Sequence, residues 1–243
     1  MKQRLDQALV VRGLVSTRSQ GESYIRLGEV KVNGTVTTKP GEMVSDVDEL
    51  KLMATEQYVS RAGLKLASVS RALGLSFVDK LMLDVGSSTG GFTDFALQHG
   101  ARKVIAVELG TNQLHPTLHG DPRIELHEKT DIRSFQPTEH IDVIVIDVSF
   151  VSLRDILPHI ADISDTNTVI VAMVKPQFEA EQEGLKHKGV VKNDRMRRDI
   201  LKSFELWAQK VFRIEYKADS EIHGAKGNVE RFYKLRKLAT KNN

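Results

Sequence analysis

A glycine-rich turn between a short apolar strand and a helix constrains the fold of this sequence more than any other feature. Residues 81–84 form an apolar run that ends in a carboxylate, and residues 86–91 contain three glycines. The segment from Gly91 to about His99 has the composition of a helix. Strand, turn and helix in this order are typical of an open α/β sheet, in which ligands bind outside the carboxyl ends of the strands. Glycines would let the backbone approach such a ligand closely.

The spacing of this turn argues against a phosphate-binding loop. Neither G-x-G-x-x-G nor G-x-x-x-x-G-K-[ST] occurs in it. The turn has the pattern Asp84-x-Gly86-x-x-x-Gly90, and a carboxylate at this place would repel a pyrophosphate but attract a cationic ligand such as S-adenosylmethionine. An ordinary βα turn explains this pattern equally well. Glu108, after the apolar residues 104–107, could bind the two ribose hydroxyls of a nucleoside, and with it a methyltransferase-type site is favoured.

Composition narrows the class of protein. The chain has 243 residues, 40% of them hydrophobic, which is enough for a sizeable core. It has no cysteine, which excludes disulfides and cysteine-ligated metals, and its eight histidines form no metal-binding motif, so we expect no metal. The net charge of +3 is compatible with a nucleic-acid partner. No apolar run is long enough to cross a bilayer and no signal sequence is evident, so we expect a soluble, cytoplasmic protein.

Residues 1–53 have the pattern of a separate, small α+β unit. The predicted elements are a helix that ends near Gly13, a second helix from the N-cap Ser16 to Leu27, an Asn33-Gly34 turn, and a strand over 49–52. Residues 54–57 are a polar linker. A second domain over 58–243 is predicted to begin with a helix over 58–73.

The N-terminal unit is also the most basic part of the sequence. Residues 1–40 carry seven basic and three acidic residues, a net charge of +4. If the charge were the only observation, a solvated basic face would explain it. However, the order of residues from Arg4-Leu5-Asp6 to Val32-Asn33-Gly34 closely resembles the S4 RNA-binding domain. The candidate RNA-binding residues are Arg4, Arg12, Arg18, Arg26 and Lys31, with Arg61 on the following helix.

The remainder of the chain alternates apolar runs with amphipathic segments, which is the pattern of an α/β domain with a parallel sheet. The apolar runs lie at 81–85, 103–107, 141–147 and 168–174. Asp147 and Lys175 follow the last two runs and would face the same crevice as Asp84. A structural ion pair is the alternative explanation for this acid and this lysine.

Further elements are expected after Lys175. We predict a mobile loop over 180–193, lying above the crevice. A helix should follow over 194–211, with Trp207 in the core. The last strand should begin close to Glu230, which could then return to the crevice.

Five motifs together resemble the TlyA family of hemolysins and ribosomal RNA 2′-O-methyltransferases over almost the whole chain. They lie at 58–66, 83–94, 146–153, 174–179 and 226–230. The resemblance implies an α/β fold: a class I (Rossmann-like), FtsJ-like S-adenosylmethionine-dependent methyltransferase domain that follows a small N-terminal α+β S4 RNA-binding domain. The implied reaction is 2′-O-methylation of a cytidine in ribosomal RNA. The short ends of the chain resemble a subtype that modifies only the large subunit, and a monomer is favoured.

The resemblance also implies a site. Its catalytic Lys-Asp-Lys-Glu tetrad (the tetrad below) maps onto Lys65, Asp147, Lys175 and Glu230. Uncharged Lys175 would accept the proton of the ribose hydroxyl, while the two carboxylates orient the amines. The implied S-adenosylmethionine-binding residues are Asp84, Gly86, Ser88, Thr89, Gly90, Gly91, Phe92, Glu108 at the ribose and Asp131 near the adenine. Two positions depart from the family pattern: Ala62 replaces the common glycine, and Glu108 replaces the usual aspartate.

Two other functions fit parts of the sequence. A cytolysin, as the name hemolysin suggests, would need a membrane-active segment, and no strongly apolar helix is found. A non-catalytic RNA-binding assembly factor would be expected to lose tetrad residues, yet all four residue types are present.

Overall fold

The N-terminal module, which we define as residues 1–53, is built from two helices and short strands. The computed structural model describes residues 2–54, 57–182, 191, 193–222, 224 and 227–239. The module's elements are β1 (Gln3–Arg4), α1 (Leu5–Val11), α2 (Arg18–Arg26), β2 (Val30–Val32), β3 (Thr35–Val36), β4 (Met43–Val44) and β5 (Leu50–Leu52). β1 pairs with β4, and β2 lies between β3 and β5. The turn between β2 and β3 is made by Asn33 and Gly34, both at positive φ, as the sequence predicted.

The rest of the chain forms a larger sheet that is covered by helices on both faces. Its elements are α3 (Arg61–Ser70), β6 (Leu81–Val85), α4 (Gly91–Gln98), β7 (Lys103–Val107), β8 (Ile124–His127), β9 (Val143–Ile146), α5 (Leu153–Asp162), β10 (Val169–Val174), α6 (Pro176–Gln182), α7 (Asp194–Ala208), β11 (Phe212–Asp219) and β12 (Arg231–Lys237). Two 3₁₀ turns lie at Pro116–Leu118 and Ile132–Ser134.

The order of strands fixes where a ligand can bind. The seven-stranded sheet has the order β11-β12-β10-β9-β6-β7-β8. The strands β6 to β10 are parallel, whereas β12 is antiparallel to both β10 and β11. From β6 the chain builds the sheet outward through β7 and β8, and it then returns to the other side of β6 with β9. The carboxyl ends of β6 and β9 therefore form the topological switch point, where open α/β sheets bind ligands.

Two apolar clusters hold the sheet, one on each face. The first packs α5 and α7 against the strands through residues such as Ile160 and Phe204. The second packs α3 and α4, and it continues without a break into the N-terminal module, from Phe95 through Tyr58 to Leu5 and Leu9. The module is therefore part of the same core as this face of the sheet.

The junction between the module and the sheet is also hydrogen-bonded. The side-chain amide of Gln20 donates to the carbonyl of Tyr58 at 2.6 Å, and the guanidinium of Arg61 donates to the hydroxyl of Ser19 at 2.8 Å. The segment that follows the linker is in turn bound to α4, because the backbone N–H of Val59 donates to the carboxylate of Asp94 at 2.8 Å. Two residues of the predicted linker, 55 and 56, lie outside the described residues.

Several predicted boundaries were wrong. The N-cap of α2 is Thr17 rather than Ser16, since the Thr17 hydroxyl accepts the N–H of Gln20. The helix predicted over 58–73 spans only Arg61–Ser70, because Tyr58 is buried against Phe95 with ring centroids 5.4 Å apart.

The carboxyl-terminal third also differs from prediction. The helix predicted over 194–211 ends at Ala208, and Phe212 begins the unpredicted strand β11. Trp207 is half-buried at the rim of the core, where Phe204 is the fully buried aromatic ring. The loop predicted over 180–193 lies mostly outside the described residues, and residues 180–182 belong to α6.

Candidate active site

The candidate active site lies where β6 and β9 end side by side, in the space that we call the strand-end crevice. The N–H of Asp147 donates to the carbonyl of Val85 at 3.0 Å, so the two strand ends are in direct contact. Gly86 follows with a φ of 80°, and a Cβ atom there would lie 2.8 Å from the carbonyl oxygen of Asp147. A residue with a side chain would therefore force the two strand ends apart.

Two adjoining cavities open at this point. The larger has a volume of about 870 Å³, and among the residues that line it are Gly86, Ser88, Glu108, Asp131 and Phe150. The smaller has a volume of about 160 Å³ and is lined by Asp84, Thr89, Phe92, Asp147 and Lys175, among others. The volume of the larger cavity suits a nucleoside-sized ligand, since pockets for such ligands span roughly 300–1,000 Å³. All the predicted cofactor residues except Gly90 and Gly91 line one of the two cavities.

Asp84 is a buried carboxylate beside the smaller cavity. Its Oδ2 accepts the hydroxyl of Thr93 at 2.7 Å. Its Oδ1 is buried and has no hydrogen-bond partner within the described ranges. Burial raises the pKa of Asp84 to about 7; the Thr93 hydrogen bond opposes this rise, and the charges of Asp147 and Glu108 add to it. A buried acceptor without a partner is costly, so this oxygen is suited to receive a cationic donor from a ligand.

Glu108 shapes the turn itself. Its two oxygens accept the backbone N–H groups of Ser88 at 2.9 Å and Gly110 at 2.7 Å. The side-chain amide of Gln113 donates to it at 3.3 Å. The longer side chain of glutamate thus reaches back to the glycine-rich turn while its carboxylate still lines the larger cavity.

Three other predicted cofactor residues have structural partners. Asp131 holds Arg133 in an ion pair at 2.6 Å at the edge of the larger cavity, and this pairing lowers the pKa of Asp131. Gly90 is the N-cap of α4, with a φ of 83°. Gly91 lies against α3, and a Cβ there would be 2.8 Å from that of Ala62, so this glycine lets the two helices touch.

The tetrad residues form two ion pairs. Lys175 Nζ lies 2.6 Å from Asp147 Oδ1, and Lys65 Nζ lies 2.5 Å from Glu230 Oε2. The strands bring the pairs to one end of the sheet, because Val174 of β10 is opposite Arg231 of β12, and Lys175 and Glu230 are the next residues beyond that position. All four side chains are largely buried, as expected for paired charges.

Lys65 enters the site from α3. The N-terminal turn of this helix packs on the start of α4, where Gly63 and Gly91 meet and a Cβ on Gly63 would be 3.0 Å from the Gly91 carbonyl. Arg61 and Lys65 are one turn apart on α3, so the residue that contacts the module and the residue that reaches the crevice are carried by one helix.

Two residues that line the cavities, Ser149 and Phe150, and the buried Glu179 of α6 were not singled out from the sequence. The hydroxyl of Ser149 accepts a hydrogen bond from Lys175 at 2.7 Å. Glu179 is buried and accepts from the Ser152 hydroxyl and the Leu153 N–H, which ties the segment after Lys175 to the start of α5. Phe150 is 91% exposed at the larger cavity, with a φ of 65°. Ser149 and Glu179 act through partners that are distant in sequence, and the residue type of Phe150 does not reveal its positive φ. Sequence reasoning therefore could not single them out.

The predicted RNA-binding residues have different environments. Arg4 and Arg18 both pair with Asp6, and Arg26 pairs with Glu22. Arg12 donates to the carbonyls of Ser45 and Asp48 at 2.8 and 2.6 Å, within the module. Lys31 of β2 is directly opposite Lys51 of β5.

Comparison with known proteins identifies the family. A model described as FtsJ-like methyltransferase matches residues 58–237, and one described as S4 domain matches residues 3–50. The chain belongs to the FtsJ-like methyltransferase family. This confirms the predicted α/β methyltransferase fold and the S4 domain that precedes it.

Named relatives of this FtsJ-like methyltransferase include two bacterial enzymes. The 16S/23S rRNA (cytidine-2′-O)-methyltransferase TlyA of Mycobacterium tuberculosis is 35% identical over 240 residues, covering 96% of this chain and 89% of that protein. The 23S rRNA (cytidine-2′-O)-methyltransferase TlyA of Campylobacter jejuni is 40% identical over 189 residues, covering 76% and 74%. The solved structure of a "Putative hemolysin from Streptococcus thermophilus" has a TM-score of 0.71 and 39% identity, covering 98% of this chain and 89% of that one.

Proposed function

We propose that this protein transfers a methyl group from S-adenosylmethionine to the 2′-hydroxyl of a cytidine in ribosomal RNA. The observation that carries the proposal is the presence of two buried lysine–carboxylate ion pairs at the strand ends, one of which, Lys175–Asp147, lines the smaller cavity that adjoins the nucleoside-sized one. The family supports methyl transfer, and the names of the two TlyA relatives support ribosomal RNA and cytidine as the target.

The residues of the crevice fit S-adenosylmethionine. The Oδ1 of Asp84, which has no hydrogen-bond partner among the described residues, suits the cationic amino group of its methionine part. Glu108 and the larger cavity suit its nucleoside, with Asp131 at the adenine end. When bound, the cofactor supplies an electrophilic methyl carbon attached to a positively charged sulfur.

The tetrad supplies the proton chemistry. We assign to Lys175 Nζ the removal of the proton from the ribose hydroxyl, which otherwise is a poor nucleophile. Asp147 and Ser149 lie 2.6 and 2.7 Å from this nitrogen. Once the ammonium of the ion pair has released one proton to solvent, these two contacts fix the direction of its free electron pair, which then takes the proton of the ribose hydroxyl. Glu230 holds Lys65 in the same manner, leaving its remaining N–H groups available to the substrate oxygen.

The N-terminal module is proposed to hold the RNA. Arg4 and Arg18 have partly exposed side chains and suit phosphate contacts. Arg61 and Lys31 would extend this surface, and Arg26 would add charge at its edge. We assign a structural role to Arg12, since its guanidinium is bound to two carbonyls of the module. We retain 1–53, 54–57 and 58–243 as the division of the chain into module, linker and methyltransferase domain.

The large ribosomal subunit is the favoured substrate, and we expect the reaction to take place in the cytoplasm, where ribosomes are assembled. The name of the Campylobacter jejuni relative refers to 23S rRNA alone. The names of the two TlyA relatives favour methyl transfer over the cytolysin alternative that the name hemolysin suggests. In the described part of the chain, no helix combines the length and hydropathy needed to span a bilayer.

The test is methyl transfer to ribosomal subunits isolated from cells that lack the protein. We expect radiolabel from S-adenosylmethionine to enter the large subunit as 2′-O-methylcytidine, identified by mass spectrometry of nucleosides. Subunits from cells that contain the protein are the control and should accept almost no label. Label on a base, or no label on any subunit, would refute the proposed reaction.

A further inference from the structure

Asp6 is a fully buried carboxylate in the first turn of α1, far in sequence from the tetrad. Its oxygens accept hydrogen bonds from two arginines on different elements. Arg4 of β1 donates from Nε at 3.0 Å and from Nη2 at 2.8 Å, and Arg18 of α2 donates from Nε at 2.9 Å. One carboxylate therefore fixes two guanidinium groups next to each other.

The two arginines remain accessible although Asp6 is not. Their side chains are 41% and 55% exposed, and Asp6 is the one carboxylate that forms an ion pair with either of them in the described residues. A guanidinium has five N–H donors, and these hydrogen bonds use two on Arg4 and one on Arg18. The remaining donors can face solvent, and the cluster of two cations and one anion carries a net positive charge.

The charge state of Asp6 supports this arrangement. Burial raises the pKa of Asp6, but the hydrogen bonds from Arg4 and Arg18 more than offset it and hold the pKa below its ordinary value. An ionised, buried carboxylate is strongly destabilising without its partners. The arginines are therefore held against Asp6 before any ligand arrives, and their side-chain entropy is lost on folding rather than on binding.

The position of the pair connects it to the crevice. Arg18 is the first residue of α2, and the next residue, Ser19, accepts a hydrogen bond from Arg61 of α3. α3 also carries Lys65, one turn further along. The first turn of α2 therefore carries both an arginine that pairs with Asp6 and a residue that contacts the helix leading into the crevice.

We propose that Asp6 is a positioning residue for RNA, which holds Arg4 and Arg18 in the orientation that contacts backbone phosphates. This proposal rests on the proposed function, because it assumes that ribosomal RNA is the substrate. It adds that the binding strength of the surface depends on a buried carboxylate that never touches the RNA. Its chemistry is that of two adjacent guanidinium forks, which match phosphate oxygens.

The test uses the full-length Asp6→Asn variant, which keeps the shape of the side chain. We expect its KM for the ribosomal subunit to rise about tenfold, the value of one lost preorganised contact. Its kcat and its affinity for S-adenosylmethionine should stay as in wild type. The matched control is Asp121→Asn, which removes the carboxylate partner of the exposed Arg123 outside the module and should change KM by less than about twofold.

A second arm separates positioning from a general loss of structure. Asp6→Asn is combined with Arg4→Ala and Arg18→Ala, and we expect no further rise in KM beyond that of the double arginine variant, because residues that act as a unit are not additive. Arg18→Lys covers the case in which Asp6→Asn does not fold: it keeps the charge but loses the fork, and its KM should also rise several-fold.

The experiment distinguishes failure of the proposed role of Asp6 from failure of the proposed function. If wild type does not methylate the subunit at all, the proposed function fails. If wild type is active and a folded Asp6→Asn variant has the wild-type KM, the role of Asp6 is refuted. It is equally refuted if Asp6→Asn raises KM as much without the two arginines as with them, or if Asp6→Asn does not fold and Arg18→Lys binds as wild type does.

Discussion

Basic residues are held by carboxylates in two regions of this molecule, but the two regions differ in exposure. In the N-terminal module, the side chains of Arg4 and Arg18 are 41% and 55% exposed while bound to Asp6. In the strand-end crevice, the side chains of Lys175 and Lys65 are only 10% and 12% exposed while bound to Asp147 and Glu230.

This difference assigns the two regions to different tasks. An exposed guanidinium can meet the phosphates of a large substrate, and such contacts weaken with salt. A buried amine can meet only a group that enters the crevice, and there the low local dielectric strengthens its effect. The comparison predicts that variants in the module change binding, whereas variants in the crevice change the chemical step.

The largest effect is expected from Lys175→Ala. Loss of the proposed base should lower kcat by about 10²–10⁴-fold, the usual contribution of general base catalysis. Affinity for S-adenosylmethionine, measured by calorimetry, should change by less than a few-fold. Lys217→Ala, which removes a lysine paired with Glu205 on the surface, is the control. Activity within tenfold of wild type would remove Lys175 as the base.

The next effect is expected from Arg4→Ala and Arg18→Ala. Each should weaken binding of the ribosomal subunit by roughly tenfold, since hydrogen bonds to charged groups are worth about 1.5–3 kcal/mol. Each should also lower the slope of log K against log salt by about one unit, as measured in a salt series. Arg213→Ala, on the edge strand β11, is the control. An unchanged slope in both variants would show that the arginines do not contact phosphates.

A smaller effect is expected from pH on the affinity of the strand-end crevice for S-adenosylmethionine. The pKa of Asp84 is about 7 in the folded chain, against an ordinary value of 3.8. Its stabilising contribution is therefore complete below pH 3.8 and is lost as pH rises through 7. A cationic ligand favours the ionised form, so the Kd for S-adenosylmethionine should fall as pH rises from 6 to 8, by up to about tenfold per unit below pH 7. Calorimetry in two buffers should detect the released proton, and Asp84→Asn should abolish it. A proton release that persists in Asp84→Asn would assign it to another group.

The smallest effect on RNA binding is expected from Arg12→Ala, although it lies in the basic module. This variant loses hydrogen bonds to the carbonyls of Ser45 and Asp48 and should lower the free energy of unfolding by about 1–3 kcal/mol. The salt slope of subunit binding should stay as in wild type. Thermal unfolding and the salt series test this prediction together. A variant with wild-type stability and a reduced salt slope would show that Arg12 contacts RNA phosphates instead.

The sequence predicted the elements that local patterns determine. The apolar runs and the Asp84–Gly90 turn located the strands β6, β7, β9 and β10 and the helix α4, because buried parallel strands are continuous and apolar. Strand β11 was missed, since it is an edge strand with many exposed charged residues and lacks such a run.

The hydrogen-bond partners of the arginines in the module were beyond sequence reasoning. Nothing near Arg12 indicates that carbonyls more than thirty residues later in the chain will bind it. The shared core of module and sheet, formed around Tyr58, was also unforeseen, because it depends on tertiary packing. It implies that removing residues 1–53 would expose apolar surface, so single substitutions test the module more cleanly than a truncation does.

The most direct test of the division of labour is the single-turnover rate of methyl transfer, measured over a range of concentrations of large ribosomal subunit from cells that lack the protein. The double variant Arg4→Ala/Arg18→Ala should need more substrate but reach the wild-type rate at saturation. Lys175→Ala should remain slow at every concentration. If the arginine variant is slow at saturation, or if added substrate restores Lys175→Ala, the module and the crevice do not divide binding from chemistry as proposed.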